Sequence, residues 1–345
     1  MTSDELLDPI RRLHDRLRDL IVDACQKNVP EALSEIVHDG AGDVTFMVDR
    51  VCESALIERF TREIAIREPI VLIGEGLSDG CMTLPAGADA EEARWRIIVD
   101  PIDGTRGLMY QKRPGWILTG VAPNLGPRTS LADIVLAVQT EIPLLKQHLS
   151  DQLWAIRGRG AHGIRFNRLT KESAPLAITP STATTLRNGF ATVCRFFPGG
   201  RDILSALDDD LCARTVGPVR IGEAAVSNDQ YACTGGQLYG LAVGQDRLVA
   251  DIRPLLAPIV QARGEAIGHC CHPYDLCTKL IAEEAGVVVR DSLGEAIVAP
   301  LDTETNVAWI GYANRHLKLQ IEPVLSELLQ AYGLVGVNEM VTPAG

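Results

Sequence analysis

The segment WRIIVDPIDGTRG, Trp95 to Gly107, sets Asp100 and Asp103 three positions apart at the end of an apolar run. Two carboxylates held this close repel each other unless positive charge lies between them. Pro101 removes a backbone donor and fixes its own φ, so the chain must turn sharply after Asp100. Such a turn can bring both carboxylates to one point and expose the Ile102 carbonyl between them. Gly104 then allows close backbone approach, and GT leads into a segment whose free N–H groups can hold a phosphate. Oxygen donors of this kind favour Mg²⁺ over zinc. Two further acids stand at element ends. Glu75 follows the run VLIG, and Asp275 opens the helical stretch HPYDLCTKLIAEEAG. Taken singly, each also fits a commoner role, Asp275 as a helix N-cap and Glu75 as an exposed turn residue.

The elements that must position these acids follow from periodicity. Asp4 to Gln26 suits one amphipathic helix, and Val48 to Arg67 a second with Asp49 on its first turn. PIVLIGEG and RWRIIVDP are short apolar runs ending in acids, as strands with ligands at their tips would be. The polar, Gly/Pro-punctuated LSDGCMTLPAGADAEEA between them reads as a surface loop. GWILTGVA, DIVLAVQT and QLWAIRGRGA continue the sheet. A second half begins near Lys171, with strands in GFATVCRF, VVVRD and VAWIGYA. Its helices are expected over Ile203 to Asp209, Tyr274 to Ala285 and His316 to Tyr332. The reading is a layered α/β protein with an N-terminal α+β subdomain over 1–170 and a C-terminal α/β subdomain over 171–345 that closes the site.

Composition narrows the function classes. The chain has 345 residues, 46% hydrophobic, enough for a substantial core. Its net charge of −12 argues against nucleic acid or an acidic membrane as partner. No apolar run reaches the ~20 residues that cross a bilayer, and the N-terminus does not resemble a signal peptide, so a cytoplasmic protein is expected. The nine cysteines are dispersed and odd in number, as reduced core thiols would be. HCCH, His269 to His272, invites a zinc reading. Adjacent side chains in an extended segment point to opposite faces, and the spacing matches no usual zinc pattern, so zinc is not expected there.

DPIDGTRG, preceded by IGEG and followed by HPYDLCTKLIAEEAG, resembles the inositol monophosphatase family of Mg²⁺-dependent, lithium-sensitive phosphatases. Relatives of that family include fructose-1,6-bisphosphatases, histidinol-phosphate phosphatases and 3′-phosphoadenosine nucleotidases. GDVTFMVDRVCE, LWAIRGRGAHGIRFN, RIGEAAV, YGLAVGQDRLVAD and IGYAN are similar to further family segments in the right order, from about Asp43 to Asn314. The resemblance implies an α-β-α-β-α sandwich and two or three Mg²⁺ ions per site. Glu75, Asp100 and the Ile102 carbonyl would hold one ion; Asp100, Asp103 and Asp275 a second; and Glu75 would help with a third. Thr105 and Asp49 match the pair that orients and deprotonates the attacking water. Gly104, Thr105 and Arg106 would meet the substrate phosphate. A small polyol or sugar phosphate is the implied substrate, with histidinol phosphate or fructose 1,6-bisphosphate as alternatives, and a homodimer is expected by analogy.

Several positions depart from the family pattern. Gly76 stands where a second glutamate is usual, and HDGAGD stands where the early lysine common in inositol phosphatases has no clear counterpart before Asp43. GHCCHPY replaces the glutamate that holds a ring hydroxyl in inositol phosphatases, after the insertion IRPLLAPIVQARGEAIGH. Arg106, Arg253 and Arg201 are the cationic candidates for substrate contact. Trp95, Trp116, Trp154, Tyr231 and Tyr239 read as core, and His162 as a turn residue. With 5% aromatics, no base-stacking pocket is expected, which disfavours a nucleotide phosphatase. The rival from another class is a catalytically silent relative that binds without turnover.

Overall fold

Helix α1 (Ser3–Lys27) buries Leu6, Ile10, Leu13, Leu17 and Ile21, a stripe at three- and four-residue spacing that forces one face onto a sheet. The computed structural model describes residues 1–27, 36–39 and 44–336, with side chains over 1–27, 54–77 and 79–336. Strands β1 (Ile36–Asp39) and β2 (Val44–Phe46) form a small antiparallel ribbon. It leads into α2 (Met47–Phe60), which continues as one π-helical turn, Thr61–Ala65.

An eight-stranded sheet comes next: β3 (Ile70–Gly74), β4 (Cys81–Leu84), β5 (Trp95–Asp103), β6 (Gly115–Pro123), β7 (Leu136–Ile142), β8 (Leu149–Ile156), β9 (Ala161–Asn167) and β10 (Ser173–Pro175). Its spatial order is β10-β9-β8-β7-β6-β5-β3-β4, antiparallel except for β3 beside β5. A second sheet has the order β11-β12-β14-β13, built from β11 (Phe190–Val193), β12 (Asp246–Asp251), β13 (Val288–Arg290) and β14 (Trp309–Tyr312). The short α3 (Thr105–Met109) follows β5 directly. Between the sheets lie α5 (Thr234–Ala242), α7 (Pro273–Leu276) and α8 (Lys279–Ala285); α4 (Arg201–Val216) and α9 (Arg315–Ala331) cover the outer face of the second sheet, and α6 (Ala257–Ala262) lies in the expected insertion.

The layers run α1/α2, large sheet, α5/α8, small sheet, α4/α9, which is the α-β-α-β-α sandwich expected from the sequence. Two buried clusters fill it. One joins α1 and α2 to the large sheet through Ile97, Val99 and Val138, and the other joins both sheets through Ile98, Leu118, Leu241 and Trp309. The large sheet is apolar on both faces because helices cover both. No described helix is long and apolar enough to cross a membrane.

Three sequence readings need correction. The expected loop after β3 contains β4, whose Cys81 pairs with Ile73 and Leu84 with Ile70. Only Leu84 in this strand is buried, so no alternation marked it; the free edge of β3 makes it a strand. The helix expected over Tyr274 to Ala285 is broken at Cys277 and Thr278, where the Thr278 hydroxyl donates to Gln139 Oε1 on β7 at 2.9 Å. The helix expected over Val48 to Arg67 ends its regular part at Phe60. The large sheet also includes β10, past residue 170.

Candidate active site

On a regular strand, residues three apart point to opposite faces. Asp100 pairs with Leu118 of β6 while Asp103 pairs with Trp116, so three steps along β5 match two along β6. This is a bulge of one extra residue, sited where Pro101 cannot donate to the ladder. The bulge reverses the parity of β5. Ile98 faces the inter-sheet core and Ile97 and Val99 face the α1/α2 core, yet beyond the bulge Ile102 is the residue facing α1/α2. Asp103 is thereby turned to the side of Asp100, where it accepts the Gly235 N–H at the start of α5. The Ile102 N–H donates to Asp100 Oδ1 at 2.9 Å, which tightens the turn.

Glu75 reaches the same place by strand register. β3 runs parallel to β5 with Gly74 opposite Val99, so the next residue, Glu75, emerges beside Asp100. Asp275 arrives from the other layer. It is the third residue of a capping box on α7, with its Oδ2 accepting the His272 N–H at 2.6 Å, and it also lines the cavity. The cap role and the cavity role therefore coexist in one side chain. Glu75, Asp100, Ile102, Asp103, Gly104, Thr105, Arg106 and Asp275 line a single cavity of about 510 Å³. Asp49 lies on α2, and its side chain is outside the described residues.

Carboxylate oxygens of Asp100, Asp103 and Asp275 lie within 4.8 Å of one another, on residues only 2%, 6% and 7% exposed. Burial pushes Asp103 up to about 6 despite hydrogen bonds from Gly235, Cys233 and Thr234. Asp275 is pushed well above its ordinary range, first by burial and then by the charge of Asp103. The nearest buried guanidinium, Arg253, is committed elsewhere, with two bonds to Asp251 at 2.8 and 2.6 Å. Three buried acids whose oxygens meet within 4.8 Å are a donor set for a hard divalent ion.

The turn into α3 completes one wall. Gly104 has φ +86°, and a Cβ there would sit 3.0 Å from Cys233 Cβ, so glycine is required on both counts. The Thr105 hydroxyl donates to the Ile102 carbonyl at 2.7 Å, which leaves its oxygen lone pairs toward other donors. Gly76, where a second glutamate was expected, has φ +82°; the chain turns left-handed directly after Glu75.

Other candidates separate. Arg106 lines the cavity with Lys112 and Arg113. Arg253 also lines it, but its head group is tied to Asp251 and to the His269 carbonyl and lies 4.3 Å over the Phe196 ring. Arg201 is structural, bonding the carbonyls of Arg195, Phe196 and Phe197. His162 lies in β9 opposite Trp154 rather than in the turn expected for it; its Nε2 donates to the Arg159 carbonyl and its ring stacks on Trp154. Tyr231 lines the cavity rather than only packing in the core, and its hydroxyl donates to the Pro114 carbonyl.

The cavity carries more rings than a 5% aromatic fraction suggests. Rings follow one another from Phe196 to Phe197 at 5.5 Å, to His269 at 6.4 Å, to His272 at 4.9 Å and to Tyr274 at 5.3 Å. Four of these five, Phe196, Phe197, His269 and Tyr274, line the cavity. A low overall aromatic fraction said nothing about local clustering, and the paired FF and HCCHPY strings were the available signal.

No family model matches the chain, and no curated protein matches it. Solved structures do. The extragenic suppressor protein SuhB from Bartonella henselae superposes with a TM-score of 0.63 at 16% identity, over 93% of this chain and 98% of that one. Fructose-1,6-bisphosphatase from Leishmania major gives 0.64 at 14% identity, over 95% and 93%. A calcium-bound IMPase family protein from Staphylococcus aureus gives 0.61 at 16%, over 96% and 97%. The chain has the inositol monophosphatase fold. At these identities the likeness concerns architecture, so the chemistry rests on the chain's own residues.

Proposed function

We propose that the chain is a divalent-cation-dependent phosphomonoesterase acting on a small phosphorylated metabolite, a polyol or sugar phosphate. The observation that carries this reading is the meeting of Asp100, Asp103 and Asp275, delivered by a strand bulge and a distant helix start, at one buried point. Glu75, Asp100, Asp103, Asp275 and the Ile102 carbonyl would hold the cations, with Mg²⁺ the ion proposed. When bound, such ions supply electrophilic stabilisation of phosphoryl and leaving-group oxygens in a reaction whose uncatalysed rate is extremely low. The calcium-bound relative from Staphylococcus aureus is in keeping with that choice.

The chain's own groups do the rest. The N–H groups of Gly104 and Thr105 bind phosphate oxygens, and Arg106 adds charge at the same wall. The Thr105 hydroxyl, fixed by its bond to the Ile102 carbonyl, orients the attacking water, and Asp49 takes the proton. The deep position of the three acids keeps bulk water from the reacting centre.

A second reading is favoured by one observation, the run of rings along Phe196, Phe197 and His269. Such a wall suits a phosphate ester carrying a planar ring, such as histidinol phosphate or a nucleoside phosphate. The test is phosphate release from inositol 1-phosphate, histidinol phosphate, fructose 1,6-bisphosphate and 3′-phosphoadenosine 5′-phosphate, with Mg²⁺ and with chelator. Mg²⁺-dependent release from any of them supports the phosphatase reading, and the preferred ester decides between polyol and ring. Binding of these esters without release from any of them would replace the enzyme by a silent binding relative.

A further inference from the structure

The HCCH string, set aside as a poor chelator, is divided by the fold into two unlike pairs. Cys270 and Cys271 turn into the protein: the Cys270 thiol lies 3.5 Å from the Gly268 carbonyl, and the Cys271 thiol 3.7 Å from the Thr234 hydroxyl. Neither thiol is among the donor atoms that meet at the imidazole group. The two imidazoles instead come together, with ring centres 4.9 Å apart. Pro273 and the capping box fold His272 back toward Asp275, whose Oδ2 lies 3.8 Å from His272 Nδ1. A ring nitrogen of His269, one of His272 and a carboxylate oxygen of Asp275 all fall within 4.8 Å of one another.

We propose that His269, His272 and Asp275 form a second, nitrogen-ligated cation site that takes a zinc-class transition ion in the presence of Mg²⁺. Two imidazoles and one carboxylate suit Zn²⁺, Co²⁺ or Mn²⁺, whereas Mg²⁺ prefers oxygen throughout. In a tetrahedron with bonds of about 2.1 Å, donor atoms stand about 3.4 Å apart, so the observed 3.8 Å closes with a small side-chain adjustment. The backbone that carries His269 is anchored as well. The His269 carbonyl accepts from Arg253, whose guanidinium is fixed by Asp251 and by the Phe196 ring. The Tyr274 hydroxyl, 3.3 Å from His272 Nδ1, gives up that contact when the nitrogen takes a metal. Asp275 belongs to both this group and the three-carboxylate group, so the two sites share an edge. The proposal stands whether or not the chain hydrolyses phosphate esters.

The test is metal binding rather than turnover. Metal-stripped protein is titrated with Co²⁺ in a large excess of Mg²⁺, followed by bound-metal analysis and visible absorption. The expected result is one Co²⁺ retained per chain, with ligand-field bands in the visible and no thiolate charge-transfer band. His269→Gln and His272→Gln, each checked for folding by circular dichroism, should weaken retention by at least about tenfold. Displacement of Co²⁺ by Mg²⁺, a thiolate band, or unchanged retention in both folded variants would overturn the site. If the variants do not fold, Zn²⁺ titration of the unmutated protein with ¹⁵N-labelled histidine gives the answer. Two of the seven histidines must shift on binding, and shifts in none would end the proposal.

Discussion

Replacing Asp103 by Asn should stabilise the metal-free protein and destabilise the metal-loaded one. Burial raises the Asp103 carboxyl from 3.8 to about 6. At ~1.4 kcal/mol per pH unit, holding it ionised at pH 7 costs the fold on the order of 3 kcal/mol relative to the unfolded chain. The sign follows from proton binding: between pH 4 and 6 the folded state holds the proton more tightly. Stability of the metal-free protein therefore falls as pH rises through that window and stays low above it. Asparagine removes the charge and keeps an oxygen for the Gly235 N–H, so with chelator at pH 7 the variant should be more stable by roughly 1–3 kcal/mol, the lower figure allowing for the weaker neutral hydrogen bond. With Mg²⁺ at about a thousand times its dissociation constant, the parent gains about 4.1 kcal/mol and the variant little, so the order reverses. Urea unfolding in chelator and in Mg²⁺, for both proteins, gives the four numbers. A variant less stable than the parent in chelator, or an equal Mg²⁺ gain in both, would refute the reasoning.

Two further outcomes are expected. His14 is fully buried between the Thr140 and Thr119 hydroxyls at 3.0 and 2.7 Å, and burial pushes it down to about 3. The unfolded chain binds this proton below pH 6.5 and the folded chain does not, so stability should fall by about 2 kcal/mol from pH 6.5 to 5; the slope of urea midpoints against pH should flatten in His14→Gln. Gly104→Ala should cost about 1–2 kcal/mol in thermal unfolding through its positive φ alone and reduce phosphate release by moving the turn off Cys233.

What the sequence revealed of the fold was what periodicity controls. The stripe in α1 and the buried runs of β3, β5, β6 and β7 carry their own signal, because burial of those side chains is what makes the elements. β4 and the break in α8's approach did not announce themselves: one depends on a vacant sheet edge, the other on a threonine hydroxyl finding Gln139 across the layer interface. The acids at the site were readable because each sits at an element end beside apolar sequence. The HCCH string does not keep the alternation assumed for it. An extended strand alternates its side chains, but the turn at Pro273 bends His272 out of that alternation and back toward Asp275. The aromatic wall joins residues near 196 to residues near 270, and no local pattern records that meeting.

The bulge in β5 makes the count of residues matter more than their names. Were one residue lost between Asp100 and Asp103, the second carboxylate would rotate through the plane of the sheet and enter the apolar layer beneath α1. Ionised there, it would cost several kcal/mol with nothing to coordinate. Exchanging Ile102 for another aliphatic side chain leaves the arithmetic intact, since the backbone oxygen, not the side chain, faces the acids' turn. The site thus rests on a single supernumerary step in a strand.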